Sequence, residues 1–368
     1  MSLSTSAAPA RAVSIDAATS EPRAVAVWLL LCCALVLAMV VVGGVTRLTH
    51  SGLSITEWQP IVGALPPLST SQWDEAFVKY QATPEYREVN QGMSLAAFKS
   101  IYWWEYVHRL LGRAIGVAFA LPLLWFAARR RLPRGLGPAL LVVLLLGGLQ
   151  GALGWYMVQS GLVDDPRVSQ LRLAAHLGLA LLILAAMFWV GLSLLQPAAS
   201  LRAASEPRGA RLRRFAEIIV ALIFVQALLG ALVAGIRAGF AYNTFPLMNG
   251  RVVPRELLSL DPWYLNFADN MATVQFDHRM IAWLLALLIP FFWWRVQAAA
   301  VAARVKIAAH LLLAALTAQF VLGVATLLMV VPLPLAAAHQ AGAVLLFTAA
   351  LNVAHALRHP GRCAAAAA

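Results

Sequence analysis

The chain is 368 residues long, 61% hydrophobic and only 12% charged, with a formal charge of +12. A soluble domain of that length cannot hide so much apolar surface, so the composition excludes an ordinary soluble enzyme and predicts a polytopic membrane protein. Nucleic acid is not expected as a partner, because the basic residues are scattered over short loops between apolar runs.

Residues 1–22 are rich in Ala and Ser, carry charges of both signs, and read as a disordered arm. The apolar run that follows is too long for a signal peptide and lacks a small-residue cleavage pattern after it. Spans of about 20 residues are long enough to cross a bilayer. Eight such stretches lie near 25–45, 104–128, 137–158, 173–195, 216–236, 274–296, 307–331 and 337–357. Cys32 and Cys33 sit inside the first and Cys363 in the tail, so neither a structural disulfide nor a thiolate metal site is expected.

Orientation follows from Lys and Arg. Arg129, Arg130, Arg131 and Arg134 follow the second span, Arg202, Arg208, Arg211, Arg213 and Arg214 the fourth, and Arg295, Arg304 and Lys306 the sixth. That side is cytoplasmic by the positive-inside rule. Acids such as Glu57, Asp74, Glu85, Asp164, Asp165, Glu256 and Asp261 crowd the opposite loops. Both termini are therefore cytoplasmic, and the long loops 46–103 and 237–273 face outward. Trp58, Trp73, Trp103, Trp104 and Trp263 are placed as anchors at the interface.

The chain repeats itself. His108-Arg109 recurs as His278-Arg279, Gln150-x-x-x-Gly154 as Gln319-x-x-x-Gly323, and Ala174-Ala175-His176 as Ala337-Ala338-His339. Gly44-x-x-Arg47 resembles Gly235-x-Arg237 more loosely. A repeat of four spans keeps its orientation, which implies a pseudo-two-fold axis along the membrane normal. The expected fold is an all-α polytopic membrane protein whose eight transmembrane helices form two pseudo-two-fold-related four-helix bundles. The bundles are 23–196 and 216–358, with a cytoplasmic linker at 197–215 and a tail at 359–368.

His108, His176, His278 and His339 lie near the outward ends of the second, fourth, sixth and eighth spans, two in each half. Two imidazoles facing each other across a bundle suit a bis-histidine haem. A single buried histidine is as well explained by a hydrogen bond to a backbone or hydroxyl group. Four at repeat-equivalent places are not, because each costs desolvation. Zinc or copper is the weaker alternative, since Cys and extra carboxylates are missing nearby and Gly112, Gly116 and Gly178 suit a flat ligand or close helix packing. His50, His310, His355 and His359 read as ordinary interfacial residues. Arg47 and Arg237 end the first and fifth spans on the outward side, as partners for haem propionates or as snorkelling anchors.

The halves differ one turn before their first histidine, where Glu105 in one corresponds to Gln275 in the other. A carboxylate beside a reacting group can accept a proton or stabilise positive charge. The alternative is that Glu105 simply pairs with Arg109 or Arg47.

Together these residues resemble a known family. Gly43-Gly44-Val45-Thr46-Arg47-Leu48-Thr49, Ser51-Gly52-Leu53-Ser54, Glu57-Trp58-x-Pro60-x-x-Gly63 and Glu105-Tyr106-x-His108-Arg109-x-x-Gly112-Arg113 are similar to haem A synthase, as are Phe276-x-His278-Arg279 and Ala338-His339-Gln340. The resemblance covers nearly the whole chain beyond residue 22 and is to the proteobacterial and mitochondrial branch. It implies haem b as cofactor on His278 and His339. It also implies haem O as substrate at His108 and His176, with Glu105 as the catalytic carboxylate. The implied reaction oxidises the C8 methyl of haem O to the formyl group of haem A through a hydroxymethyl intermediate, for cytochrome oxidase biogenesis in the bacterial inner membrane. Implied partners are membrane lipid, haem O synthase and an electron donor, and a homo-oligomer is left open. Some members carry an outward cysteine pair that this chain lacks. Spacing alone stops earlier, at two haem-like sites and an asymmetry. The competing class is a di-haem cytochrome b-type electron carrier or a quinone-linked reductase.

Overall fold

Serine or asparagine opens three of the histidine-bearing helices: the Ser94 hydroxyl accepts from the Ala97 amide, Ser169 from Arg172, and Asn270 from Ala272 and Thr273. The fourth starts between two prolines, Pro332 and Pro334. The computed structural model describes residues 21–59, 62–163, 166–196 and 207–358. In chain order the helices are α1 (Pro22–Leu48), α2 (Thr70–Gln81), α3 (Pro84–Glu88), α4 (Leu95–Ala128), α5 (Leu136–Gln159), α6 (Gln170–Leu194), α7 (Pro207–Gly235), α8 (Asn266–Asp269), α9 (Met271–Gln297), α10 (Ala303–Leu328) and α11 (Leu333–Arg358). Eight of these are long and apolar enough to cross a membrane. Among the described residues no strand forms. The arm to residue 20, residues 197–206 of the linker and the tail from His359, with Cys363, lie outside the described residues.

In the first half, α1 packs on α4 and α6, and α5 on α4 and α6; in the second, α7 packs on α9 and α11, and α10 on α9 and α11. The halves meet where α1 lies on α11 and α6 lies on α7 and α11. There the Gln340 amide donates to the Val40 oxygen at 2.9 Å, against Gly44, which has no side chain to obstruct it. Outward-facing Leu121, Leu145, Leu182, Leu287, Ile307 and Val321 stay exposed, the apolar girdle that a hydrocarbon environment requires.

One continuous apolar core joins all eight long helices, but only over part of their length. Its members end at Val40 on α1, Val143 on α5, Ile223 on α7 and Leu316 on α10, and begin at Phe119 on α4, Leu181 on α6, Leu285 on α9 and Val344 on α11. Close packing therefore fills the end of the molecule where Arg129, Arg211 and Arg304 lie, and stops before the level of the four histidines.

Several expectations change. The stretch 46–103 is not simply a loop: α2, α3 and the first turns of α4 form a cap with its own core of Trp73, Tyr80, Phe98, Tyr102 and Tyr106. Ser69 starts α2 with a capping box closed by Gln72. Trp73 is thus a core residue rather than an interface anchor, and Trp103 and Trp104 lie within α4, which begins at Leu95 instead of near 104. Helix α7 begins at Pro207 instead of near 216, so Arg211, Arg213 and Arg214 lie on a helix instead of a linker. His355 is not interfacial: it is fully buried, with Nε2 3.0 Å from the Ser193 hydroxyl and Nδ1 3.1 Å from Arg304.

Candidate functional site

Each of the four histidines rests on a glycine of the neighbouring helix. A Cβ added at Gly43 on α1 would lie 2.9 Å from His108 Cε1, and one at Gly154 on α5 would lie 2.9 Å from His176 Cε1. One at Gly230 on α7 would lie 3.3 Å from His278 Cε1, and one at Gly323 on α10 would lie 2.8 Å from His339 Cε1. All four Nδ1 atoms are buried without a hydrogen-bond partner. An orphaned buried polar atom costs about 1–3 kcal/mol, so four at matching places call for a common explanation.

The backbone at three of these histidines is braced from the glycine-bearing helix. The Gln150 amide donates to the His176 oxygen at 2.9 Å, Gln226 to the His278 oxygen at 3.0 Å, and Gln319 to the His339 oxygen at 2.9 Å. Gln226-x-x-x-Gly230 is thus a third copy of a motif that sequence reasoning found only twice. A search for Gln four residues before Gly in every span would have found it. The first span carries Met39-x-x-x-Gly43 at the corresponding place.

His108 and His176 belong to the first half, and His278 and His339 to the second. Among the described residues no three His, Cys, Asp or Glu side chains cluster as a metal-ion site. Each half therefore offers two imidazoles, each seated on a glycine, at the edge of the packed core. These features fit a broad, flat, axially ligated macrocycle.

Glu105 and Arg109 form the closest ion pair near His108. Arg109 Nη2 and Nε lie 2.6 and 3.0 Å from Glu105 Oε1. Glu105 Oε2 accepts from the Ser54 hydroxyl at 2.7 Å and the Ile55 amide at 2.8 Å. Arg109 also holds the Ile55 and Glu57 oxygens. In the second half the Gln275 amide donates to the Ala238 and Ala241 oxygens, both at 2.7 Å, and its oxygen accepts from Arg279 at 3.0 Å. Arg279 donates in turn to Tyr242 and Thr244. Both pairs pin the segment that follows the first helix of their half.

Arg47 and Arg237 come together at the seam between the halves, where Arg47 donates to the Gly235 oxygen at 3.2 Å and Arg237 Nη2 lies 3.0 Å from His50 Nδ1. His50 is therefore part of this cationic cluster. Glu85, which sequence reasoning placed only as an outward acid, is buried in the cap, with Tyr80 donating to it at 3.4 Å.

Comparison with known proteins adds to this geometry. The family model COX15-CtaA, described as a cytochrome oxidase assembly protein, matches residues 26–351. The haem A synthase of Nitrosospira multiformis is 61% identical over 336 residues, covering 91% of this chain and 94% of that protein. That of Nitrosomonas eutropha is 55% identical over 339 residues, 92% of this chain and 95% of the relative. That of Rhodospirillum centenum is 50% identical over 360 residues, 98% and 94%.

Proposed function

The chain belongs to the COX15-CtaA family of cytochrome oxidase assembly proteins, and on that premise we propose that it acts as a haem A synthase, a membrane oxidoreductase that converts haem O to haem A. The observation that carries the reading is the set of four imidazoles whose Nδ1 atoms are buried without a partner, each against a glycine, at the edge of the packed core.

In this reading residues 23–196 bind the substrate haem between His108 and His176, and residues 216–358 hold haem b between His278 and His339. Haem b, when bound, supplies one-electron redox chemistry. Arg47 and Arg237 pair with propionates, since a guanidinium fork matches a carboxylate. Taking the C8 methyl to the alcohol and then to the formyl group, with one water supplying the oxygen, removes four electrons and four protons; a membrane electron acceptor takes the electrons, and positive charge develops beside the ring. Glu105 stabilises that charge from a preset position. Each of its oxygens already accepts two hydrogen bonds, which supports a fixed charge in preference to a proton acceptor.

The protein spans the bacterial inner membrane with both termini cytoplasmic and the histidines toward the outer side. Haem O synthase supplies its substrate, and a membrane electron carrier completes the redox cycle. Co-expression with haem O synthase in a host that makes no haem A tests the reading. Extracted pigment should contain haem A; haem O persisting unchanged beside protein-bound haem b would make the chain a di-haem electron carrier instead.

A further inference from the structure

Three of the four histidines are braced through their own carbonyl oxygen, and the fourth is not; Gln226 also reaches its histidine's ring, 3.2 Å from His278 Nε2. Gln150, Gln226 and Gln319 each tie the turn bearing His176, His278 or His339 to the neighbouring helix through the histidine's own carbonyl oxygen. On α1 the residue in that place is Met39. A thioether has no proton to donate. The Met39 methyl lies instead against Gly112, one turn beyond His108, where an added Cβ would come 3.1 Å from it. Met39 thus occupies the space of the brace without making its hydrogen bond.

We propose that Met39 makes His108 the exchangeable haem ligand of this protein, so that haem can leave the N-terminal half while Gln226 and Gln319 hold the other site closed. The inference rests on the reading that the N-terminal half takes the substrate. A cofactor stays in place, and both of its ligands are braced. A substrate must enter and its product must leave, and one of its two ligands is unbraced. An iron–imidazole bond has to open before haem departs, and a turn tied to the adjacent helix resists swinging its imidazole away. Met39 acts through the turn of His108 and is a positioning residue.

Gln and Met are both unbranched and similar in length, so exchanging them changes a hydrogen bond more than a shape. The test uses the full-length protein purified with its haems, as Met39→Gln, Met39→Leu and Gln226→Met. Pigment is first extracted to establish which haems are present. Haem release is then followed by transfer to excess apomyoglobin, with the low-spin absorbance reporting ligation. Met39→Gln should slow release of haem O and haem A by about fivefold, the weight of one net hydrogen bond, and product should build up on the purified protein. Met39→Leu should release haem like the unaltered protein. Gln226→Met should speed haem b loss by about the same factor. Unchanged release from Met39→Gln, or equal slowing by Met39→Leu, would overturn the inference while leaving the substrate reading intact. If the unaltered protein carries haem b alone, the substrate reading itself fails and the inference falls with it.

Discussion

Arg109 grips a single oxygen of Glu105 from two nitrogens, Nε at 3.0 Å and Nη2 at 2.6 Å, and leaves the other oxygen to Ser54 and the Ile55 amide. Arg279 holds Gln275 from the equivalent place, and Gln275 turns its amide toward the Ala238 and Ala241 oxygens. The difference between carboxylate and amide therefore follows the polarity of the segment each one pins. Residues 54 and 55 present donors, and residues 238 and 241 present acceptors. A chemical role for Glu105 is compatible with this, and the loop fixes the carboxylate before substrate arrives.

Exchanging the two groups separates structure from chemistry. Glu105→Gln points an NH2 at donors, and Gln275→Glu points oxygen at two carbonyls. Each should lower stability by about 1–3 kcal/mol, the cost of a buried polar group facing the wrong partner. The loss is read as a lower thermal midpoint. Only Glu105→Gln, which should keep haem b, should also cut haem A output at equal protein level, by about tenfold or more, or about 1.4 kcal/mol of barrier. Normal output from that variant would leave Glu105 as a loop anchor alone.

The cap should be pH-sensitive through Glu85. Burial, with the nearby Glu105 charge as the next cause, pushes this carboxyl from 4.5 up to about 7. The folded cap then binds more protons than the unfolded one, so stability is full below about pH 4.5 and falls as pH rises toward about 7, by up to about 3 kcal/mol. Hydrogen exchange over residues 70–94, corrected for intrinsic rates, should show less protection near pH 8 than near pH 5, and Glu85→Gln should abolish the difference. Equal protection of the unaltered cap at both values would contradict this.

Glycine at the histidine contacts is a steric requirement. Gly323→Ala would place a methyl 2.8 Å from His339 Cε1 and should displace the ring, with loss of the low-spin haem b spectrum. Gly230→Ala, at 3.3 Å from His278, should show a milder loss. Gly137→Ala meets nothing within 4 Å and serves as the control. Identical spectra for all three would remove the glycines from the site.

Much of this was legible in the residue order because membrane helices announce themselves by length and hydropathy, and because a repeated histidine in an apolar span is costly enough to notice. Glu105 and Arg109 are four apart, so their pairing was also foreseeable. What the pair holds was not, since Ser54 and Ile55 approach from a distant loop. The cap reads as a loop in the sequence because α2 and α3 are short and polar, although Ser69 and Gln72 do spell a capping box. His355 reads in the sequence as interfacial because its partners, Ser193 and Arg304, lie on two other helices.

Orientation is open to reporter fusions. Fusions after Arg131 and Arg211 should report cytoplasm, and fusions near Pro84 and Asp261 the outer side. A cytoplasmic signal at Pro84 would invert the arrangement and move the histidines to the inner face.

The division of labour between the halves is tested most directly by the haem content of histidine variants purified at equal yield. On the proposed assignment, in which His278 and His339 would hold haem b, that haem should disappear from His278→Ala and His339→Ala while haem O or haem A stays bound. His108→Ala and His176→Ala should keep the haem b spectrum and lose haem O and haem A. Loss of haem b from the N-terminal variants, or its retention in both C-terminal ones, would contradict the assignment of substrate and cofactor to separate halves.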